Sequence, residues 1–189
     1  MIYVRDDDVL VTSRSWEDPF GRFKQIHEWM LKSPLFVHIP TILVEDLKNF
    51  PNAIAYIQEQ TQAGKMRPEI HGLSHLDYAK LPVEETKEHL KICKDWIWRN
   101  TGYLPTKWYT PWGANTNYLN EISNSEGLKL VDCSNIWKLN GRYGICQELR
   151  EGKDPIDFLN GKELFIHWWE GGQRLNRIVQ AVLTGKWKE

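Results

Sequence analysis

The sequence predicts an α/β fold built from parallel β/α units, and three observations carry that prediction. Short apolar strand segments alternate with longer helical ones along the chain. No repeat, low-complexity stretch or Gly/Ser-rich linker divides the 189 residues, so one domain spanning 1–189 is expected. The chemistry-bearing residues Asp6 to Asp8, His71, Pro111 to Gly113, Asp132 and His167 each follow directly on a strand segment. In a parallel barrel or open α/β sheet those carboxyl ends share one face, where active sites are built. The chain is shorter than the roughly 250 residues of a complete eight-unit barrel, so fewer strands or incomplete closure is expected.

Ile2 to Val4 reads as the first strand. A helix over Pro19 to Leu31 places Phe20, Phe23, Ile26, His27 and Met30 on one face. Leu35 to Ile39 is the second strand and Ala53 to Gln60 the next helix. Arg67 to Ile70 is a short strand that delivers His71. Pro82 to Arg99 is the clearest helix, opening on Pro-Val-Glu-Glu with Val83, Leu90 and Ile97 on its inner side. Lys107 to Tyr109, Leu128 to Val131 and Leu164 to Ile166 are strands. Asn117 to Glu126 and Gln173 to Thr184 are helices, the last one amphipathic.

Composition excludes several function classes. The formal net charge is -1, with no basic block or stripe, so nucleic-acid binding has no electrostatic support. No apolar run approaches the roughly 20 residues of a membrane helix. Met1 leads straight into Ile2-Tyr3-Val4-Arg5 and the acids, which is not a signal-peptide pattern, so a cytoplasmic location is expected. The three cysteines, Cys93, Cys133 and Cys146, are odd in number and widely spaced, which argues against a disulfide framework or a thiolate metal site. Ten tryptophans are unusual, and their flat apolar faces suit sugar rings as well as cores.

His71 and His75 stand four residues apart, within reach of a single ion on a helical turn. Two surface or capping histidines would show the same spacing. Asp6, Asp7 and Asp8 repel one another, and burying any of them calls for a cation or donors. A solvated acidic turn is the alternative, although strand residues precede the run and Val9-Leu10-Val11 follows it. Two imidazoles and a carboxylate suit a borderline divalent cation, zinc first and cobalt, nickel or manganese next. Three protein ligands leave a position open, as in catalytic rather than structural sites. His27 and His89 lie in helical patterns, His38 ends the second strand with no evident partner, and Glu84, Glu85 and Glu88 read as a solvated helix face.

Asp-Asp after the first strand, His-x-x-x-His after the third, Tyr109-Thr110-Pro111-Trp112-Gly113 after another and Ile166-His167 at the last occur in this order. In this ordered set the chain resembles the polysaccharide deacetylase (NodB-homology, carbohydrate esterase 4-like) family, over residues 2 to about 170. The resemblance implies a deformed or incomplete barrel of about seven β/α units, with a metal held by an Asp-His-His triad. It makes His71 and His75 ligands. The acid run allows two registers: Asp7 as base with Asp8 as ligand, or Asp6 as base with Asp7 as ligand. The family's Arg-x-Asp-Asp-Val variant favours the first, because Arg5 and Val9 then fall in place.

The third motif of the family usually opens with an arginine that orients the base. Here Tyr109 stands there, able to hydrogen-bond a carboxylate but without charge, while Pro111, Trp112 and Gly113 are retained. The resemblance further implies the Trp112 N–H as oxyanion donor and His167 as the general acid. Asp132 would brace His167, although Cys133 follows it in place of the usual tryptophan. Pro111, Trp112 and Trp168 are the candidate sugar contacts. The implied activity is metal-dependent removal of an N-acetyl group from an amino sugar in a polysaccharide, glycolipid or sugar precursor. The alternatives are a catalytically idle carbohydrate-binding protein on the same scaffold, or a metal-dependent amidase or O-acetyl esterase.

Overall fold

In β1 (Ile2–Asp7) the two-residue period of an extended chain sorts the side chains. Ile2, Val4 and Asp6 share one face; Tyr3, Arg5 and Asp7 share the other. In the computed structural model, which describes residues 1–10, 17–131, 137–138, 154–167 and 172–186, the chain gathers into two compact units. One comprises Met1–Asp7, Trp16–Ile39 and Ile136–Glu189; the other comprises Asp8–Ser15 and Pro40–Asn135.

In the first unit β1 pairs in parallel with β7 (Glu163–His167), which in turn pairs in parallel with β6 (Trp137–Lys138). The β1/β7 register sets Tyr3 opposite Glu163, Arg5 opposite Phe165 and Asp7 opposite His167. The other face of the same strands is apolar. Ile2, Val4, Leu164 and Ile166 pack with Ile26 and Met30 of helix α1 (Pro19–Leu31) in one buried cluster. The C-terminal amphipathic helix (Gly172–Thr184) adds Leu175, Ile178, Val179 and Val182, and Leu159 comes from a short helix over Pro155–Leu159. Each such buried aliphatic side chain is worth about 1.5–3 kcal/mol. Helix α1 starts at Pro19 because the Asp18 carboxylate accepts the Gly21 N–H at 2.9 Å and proline suits a first turn.

Strand β2 (Phe36–Leu43) is buried along its whole length and passes from the first unit into the second at Pro40. The sequence places its end at Ile39, just before Pro40. The chain stays extended, however, and Thr41 and Ile42 pair in parallel with Glu69 and Ile70. Order then continues β2, β3 (Glu69–Gly72), β4 (Lys107–Trp108), β5 (Lys129–Leu130), all parallel.

Helices alternate with these strands: α2 (Val44–Leu47), α3 (Pro51–Gln62), α4 (Val83–Thr101) and α5 (Asn117–Ser125). The inner side of α4 is Thr86, Leu90, Cys93, Ile97 and Thr101, at helical spacing. Val83, expected on that side, is 43% exposed because it stands at the first helical position, ahead of the packed stripe. Gly102 ends α4 at φ 75, the left-handed cap that glycine adopts without penalty. Among the described residues no helix is long and apolar enough to cross a membrane.

Candidate metal centre and active-site residues

Asp8 follows β1 at φ 54, a left-handed backbone that aspartate tolerates better than most residues. In the second unit its Oδ1 lies 3.0 Å from His71 Nε2 and 3.1 Å from His75 Nε2. One ligand atom from each of Asp8, His71 and His75 falls within 4.8 Å of the others, the arrangement of a possible three-residue metal site. His71 is buried at the end of β3, whereas Asp8 and His75 are partly exposed. His71 therefore belongs to the strand itself, and the chain turns after it.

Local packing explains that turn. A Cβ at Gly72 would stand 2.8 Å from the Tyr78 hydroxyl and 2.9 Å from the Ser74 carbonyl oxygen, so only glycine fits. The same hydroxyl accepts the Leu73 N–H at 2.9 Å, closing the loop that brings His75 back to His71. Tyr78 packs edge-on against Trp108, whose indole N–H donates to the His71 carbonyl at 3.2 Å. His71 Nδ1 faces the Tyr109 carbonyl oxygen at 2.5 Å. A carbonyl only accepts, so Nδ1 is the nitrogen that donates there, and Nε2 is the ring atom left to face Asp8 Oδ1. A carboxylate oxygen and a ring nitrogen 3.0 Å apart need a proton or a cation between them. The donor set thus fits a divalent cation, with the outer-shell carbonyl that a metal-binding histidine requires.

The charges respond to this proximity. Burial alone would raise the Asp8 carboxyl. Hydrogen bonds with His71 and His75 and the attraction of both rings outweigh it and hold Asp8 well below the usual carboxylate range. His75 is raised, first by its hydrogen bond to Asp8 against the opposing effect of burial. Trp112 meets the His75 ring edge-to-face, centroids 4.6 Å apart. It is 76% exposed at φ 61, a strained conformation for a bulky residue, inside the short turn Pro111–Gly113. Tyr109 is buried, and its hydroxyl accepts from Lys107 Nζ at 3.2 Å. Its carbonyl, rather than its phenol, serves His71.

In the first unit Asp6 and Asp7 are buried in β1 rather than exposed in an acidic turn. Arg5 Nε donates to Asp7 Oδ1 at 2.7 Å, and its second guanidinium nitrogen pairs closely with Asp7 Oδ2. Asp6 points to the opposite face, where His38 Nε2 lies 3.5 Å from its Oδ2 and His38 Nδ1 lies 3.2 Å from His27 Nδ1. His38, expected to lack a partner, therefore has two. Aspartate at 6 and histidine at 27 meet it because β1, β2 and α1 share that buried side. Asp6 would favour a charged His38, but burial, then the neighbouring His27, push the imidazole well below its usual value.

His167, opposite Asp7, packs edge-on against Phe165 at 4.9 Å. Asp132, Cys133 and Trp168 lie outside the described residues. The sequence reading missed the Arg5–Asp7 and Asp6–His38–His27 contacts. The strand period through Arg5 and Asp7 was the available signal for the first; nothing local signalled the second. A 260 Å³ depression lined by Lys91, Lys94, Asp95, Trp98, Leu104 and Glu126 contains none of the candidate site residues.

No family model and no curated protein matches the sequence. Solved structures do match the fold. A family 4 carbohydrate esterase from Streptomyces lividans superposes with a TM-score of 0.66 at 16% identity, over 99% of this chain and 90% of that one. The peptidoglycan deacetylase PdaC from Bacillus subtilis gives a TM-score of 0.67 at 15% identity, over 98% and 84%. BA3943 from Bacillus anthracis, a family 4 pseudoenzyme, gives 0.66 at 11% identity, over all of this chain and 62% of that longer one. The chain thus has a polysaccharide deacetylase-like fold, the deformed or incomplete (β/α) barrel of the family 4 carbohydrate esterases.

Proposed function

We propose that the protein is a metal-dependent deacetylase that removes the N-acetyl group from an amino sugar. The observation that carries this reading is the convergence of Asp8, His71 and His75 on one point, in a chain with the fold of family 4 esterases. These three side chains hold the ion, zinc or a neighbouring divalent metal, and a bound cation there supplies Lewis acidity toward an acetamide carbonyl. Asp7 takes a proton from the attacking water. The Trp112 N–H donates to the developing oxyanion, and the exposed indole offers a flat face to a sugar ring, beside Pro111. His167 gives a proton to the departing amine, so that acetate and a free amino group result. The pairing of Asp7 with His167 across β1 and β7 supports a division of labour between base and acid. Asp132 as a brace for His167 and Trp168 as a sugar contact rest on motif order.

The test is acetate release from N-acetylated oligosaccharides, glycolipids and sugar nucleotides by zinc- or cobalt-loaded protein. Turnover that a chelator abolishes is expected, and no acetate from any of them would overturn the reading. Because one protein of this fold is described as a pseudoenzyme and position 109 carries tyrosine, a sugar-binding protein without turnover is the second reading. Binding of the same oligosaccharides with no acetate formed would select it. Faster release from O-acetyl than from N-acetyl substrates would instead favour an esterase.

A further inference from the structure

We infer that Arg5 is the positioning residue for the catalytic base: its guanidinium clamps the Asp7 carboxylate in a fixed orientation. The inference rests on the proposed function for Asp7's role as base, and on the geometry of the first unit for the clamp. The two-residue period of β1 puts Arg5 and Asp7 on the same face. Arg5 Nε meets Oδ1 at 2.7 Å while the second nitrogen meets Oδ2, a two-pronged contact that fixes the carboxylate plane as well as its position. Both residues are buried, at 3% and 5% exposure.

Arg5 is itself held. Its guanidinium carbon sits 4.7 Å from the centre of the Phe165 ring, its partner across the strand pair. The far side of the arrangement is His167, against which Phe165 packs edge-on. One guanidinium thus touches the proposed base directly and reaches the proposed acid through one aromatic ring.

An ionised carboxylate offers about four lone-pair sites, so the two taken by Arg5 leave room to accept a proton. A buried ion pair adds little net stability compared with apolar packing of the same volume. Orientation, by contrast, matters strongly: a displacement of about 1 Å in a reacting group lowers a rate by roughly 100-fold. A guanidinium is therefore present beside Asp7 although position 109 carries tyrosine.

The test compares full-length wild type with Arg5→Gln and Arg5→Lys, each loaded with zinc. For Arg5→Gln, kcat for acetate release should fall roughly 100-fold with KM within about twofold, as loss of positioning requires. Arg5→Lys keeps the charge but loses the fork, and its kcat should fall between the two. Zinc should remain stoichiometric in both variants, because Asp8, His71 and His75 are untouched. Crystal structures supply a readout independent of turnover: the Asp7 carboxylate should be rotated in Arg5→Gln while the three metal-site side chains keep their places.

Wild-type kcat in Arg5→Gln, loss of zinc in parallel with kcat, or an Asp7 carboxylate unmoved in the Arg5→Gln crystal would each overturn the inference. If Arg5→Gln fails to fold, Arg5→Lys carries the same comparison. A wild type that releases no acetate defeats the proposed function. An active wild type indifferent to Arg5 defeats only this inference.

Discussion

His71 is held on both sides, its carbonyl by the Trp108 indole and its Nδ1 by the Tyr109 carbonyl, so its Nε2 has one direction to face. Asp8 occupies that direction, and Asp6 is committed to His38 on the other face of the strand. Asp8→Asn is therefore expected to lower zinc affinity by at least about 10-fold in calorimetric titration, taking the outer-shell losses of 10–100-fold as a floor. Asp7→Asn should still bind stoichiometric zinc. Loss of zinc in Asp7→Asn with retention in Asp8→Asn would move the ligand role to the other register.

The same neighbourhood makes a prediction about pH. Burial and His27 hold folded His38 below the value of about 6.5 that an unfolded histidine shows. Below that value the unfolded chain binds more protons than the folded one, so stability is fully present above about pH 6.5 and declines as pH falls. Denaturant titrations from pH 7 to 5 should show this slope, and His38→Gln should flatten it. Parallel slopes in the two proteins would count against the depressed imidazole.

At the scale of elements, the loop after β3 depends on glycine for space rather than for backbone freedom. Gly72→Ala places a methyl group against the Tyr78 hydroxyl and the Ser74 carbonyl. Overpacking of this kind costs about 1–3 kcal/mol, read as a lower denaturation midpoint. Because Tyr78 also closes the loop carrying His75, zinc affinity should fall in the same variant. An unchanged midpoint and unchanged affinity would show that the loop relaxes freely. The elements themselves were largely legible: α1 begins at Pro19 and ends at Leu31, where the spacing of its apolar residues places it. Strand ends were less so. Asp6, Asp7, His71 and His167 belong to strands that the sequence ends one to three residues earlier, since polar residues mask extended backbone. Short elements such as α2 and the strand Trp137–Lys138 carry too few residues for a periodic signal.

For the whole molecule, a ligand that binds only the folded chain stabilises it by mass action. Zinc at about 100 times its dissociation constant adds about 2.7 kcal/mol, and for a chain of this size that raises Tm by roughly 5–10 °C. Thermal scans with zinc and then with excess chelator should show the shift and its reversal, and Asp8→Asn should abolish it. Equal Tm values with and without zinc in the wild type would argue against a folded-state metal site.

The fold was readable because parallel β/α alternation and the order of polar residues at strand ends are written in one dimension, and solved structures of family 4 esterases share it. The sequence by itself determined the class of fold, the identities of the acids and histidines, and the motif order that suggests deacetylation. Only the tertiary structure decided their partners. It turned Asp8 toward His71 and His75, withdrew Asp6 to His38, and set Arg5 against Asp7. The reason is physical: three adjacent carboxylates are chemically alike in sequence. What distinguishes them is the face of β1 each one occupies and the left-handed turn at Asp8 that ends the alternation.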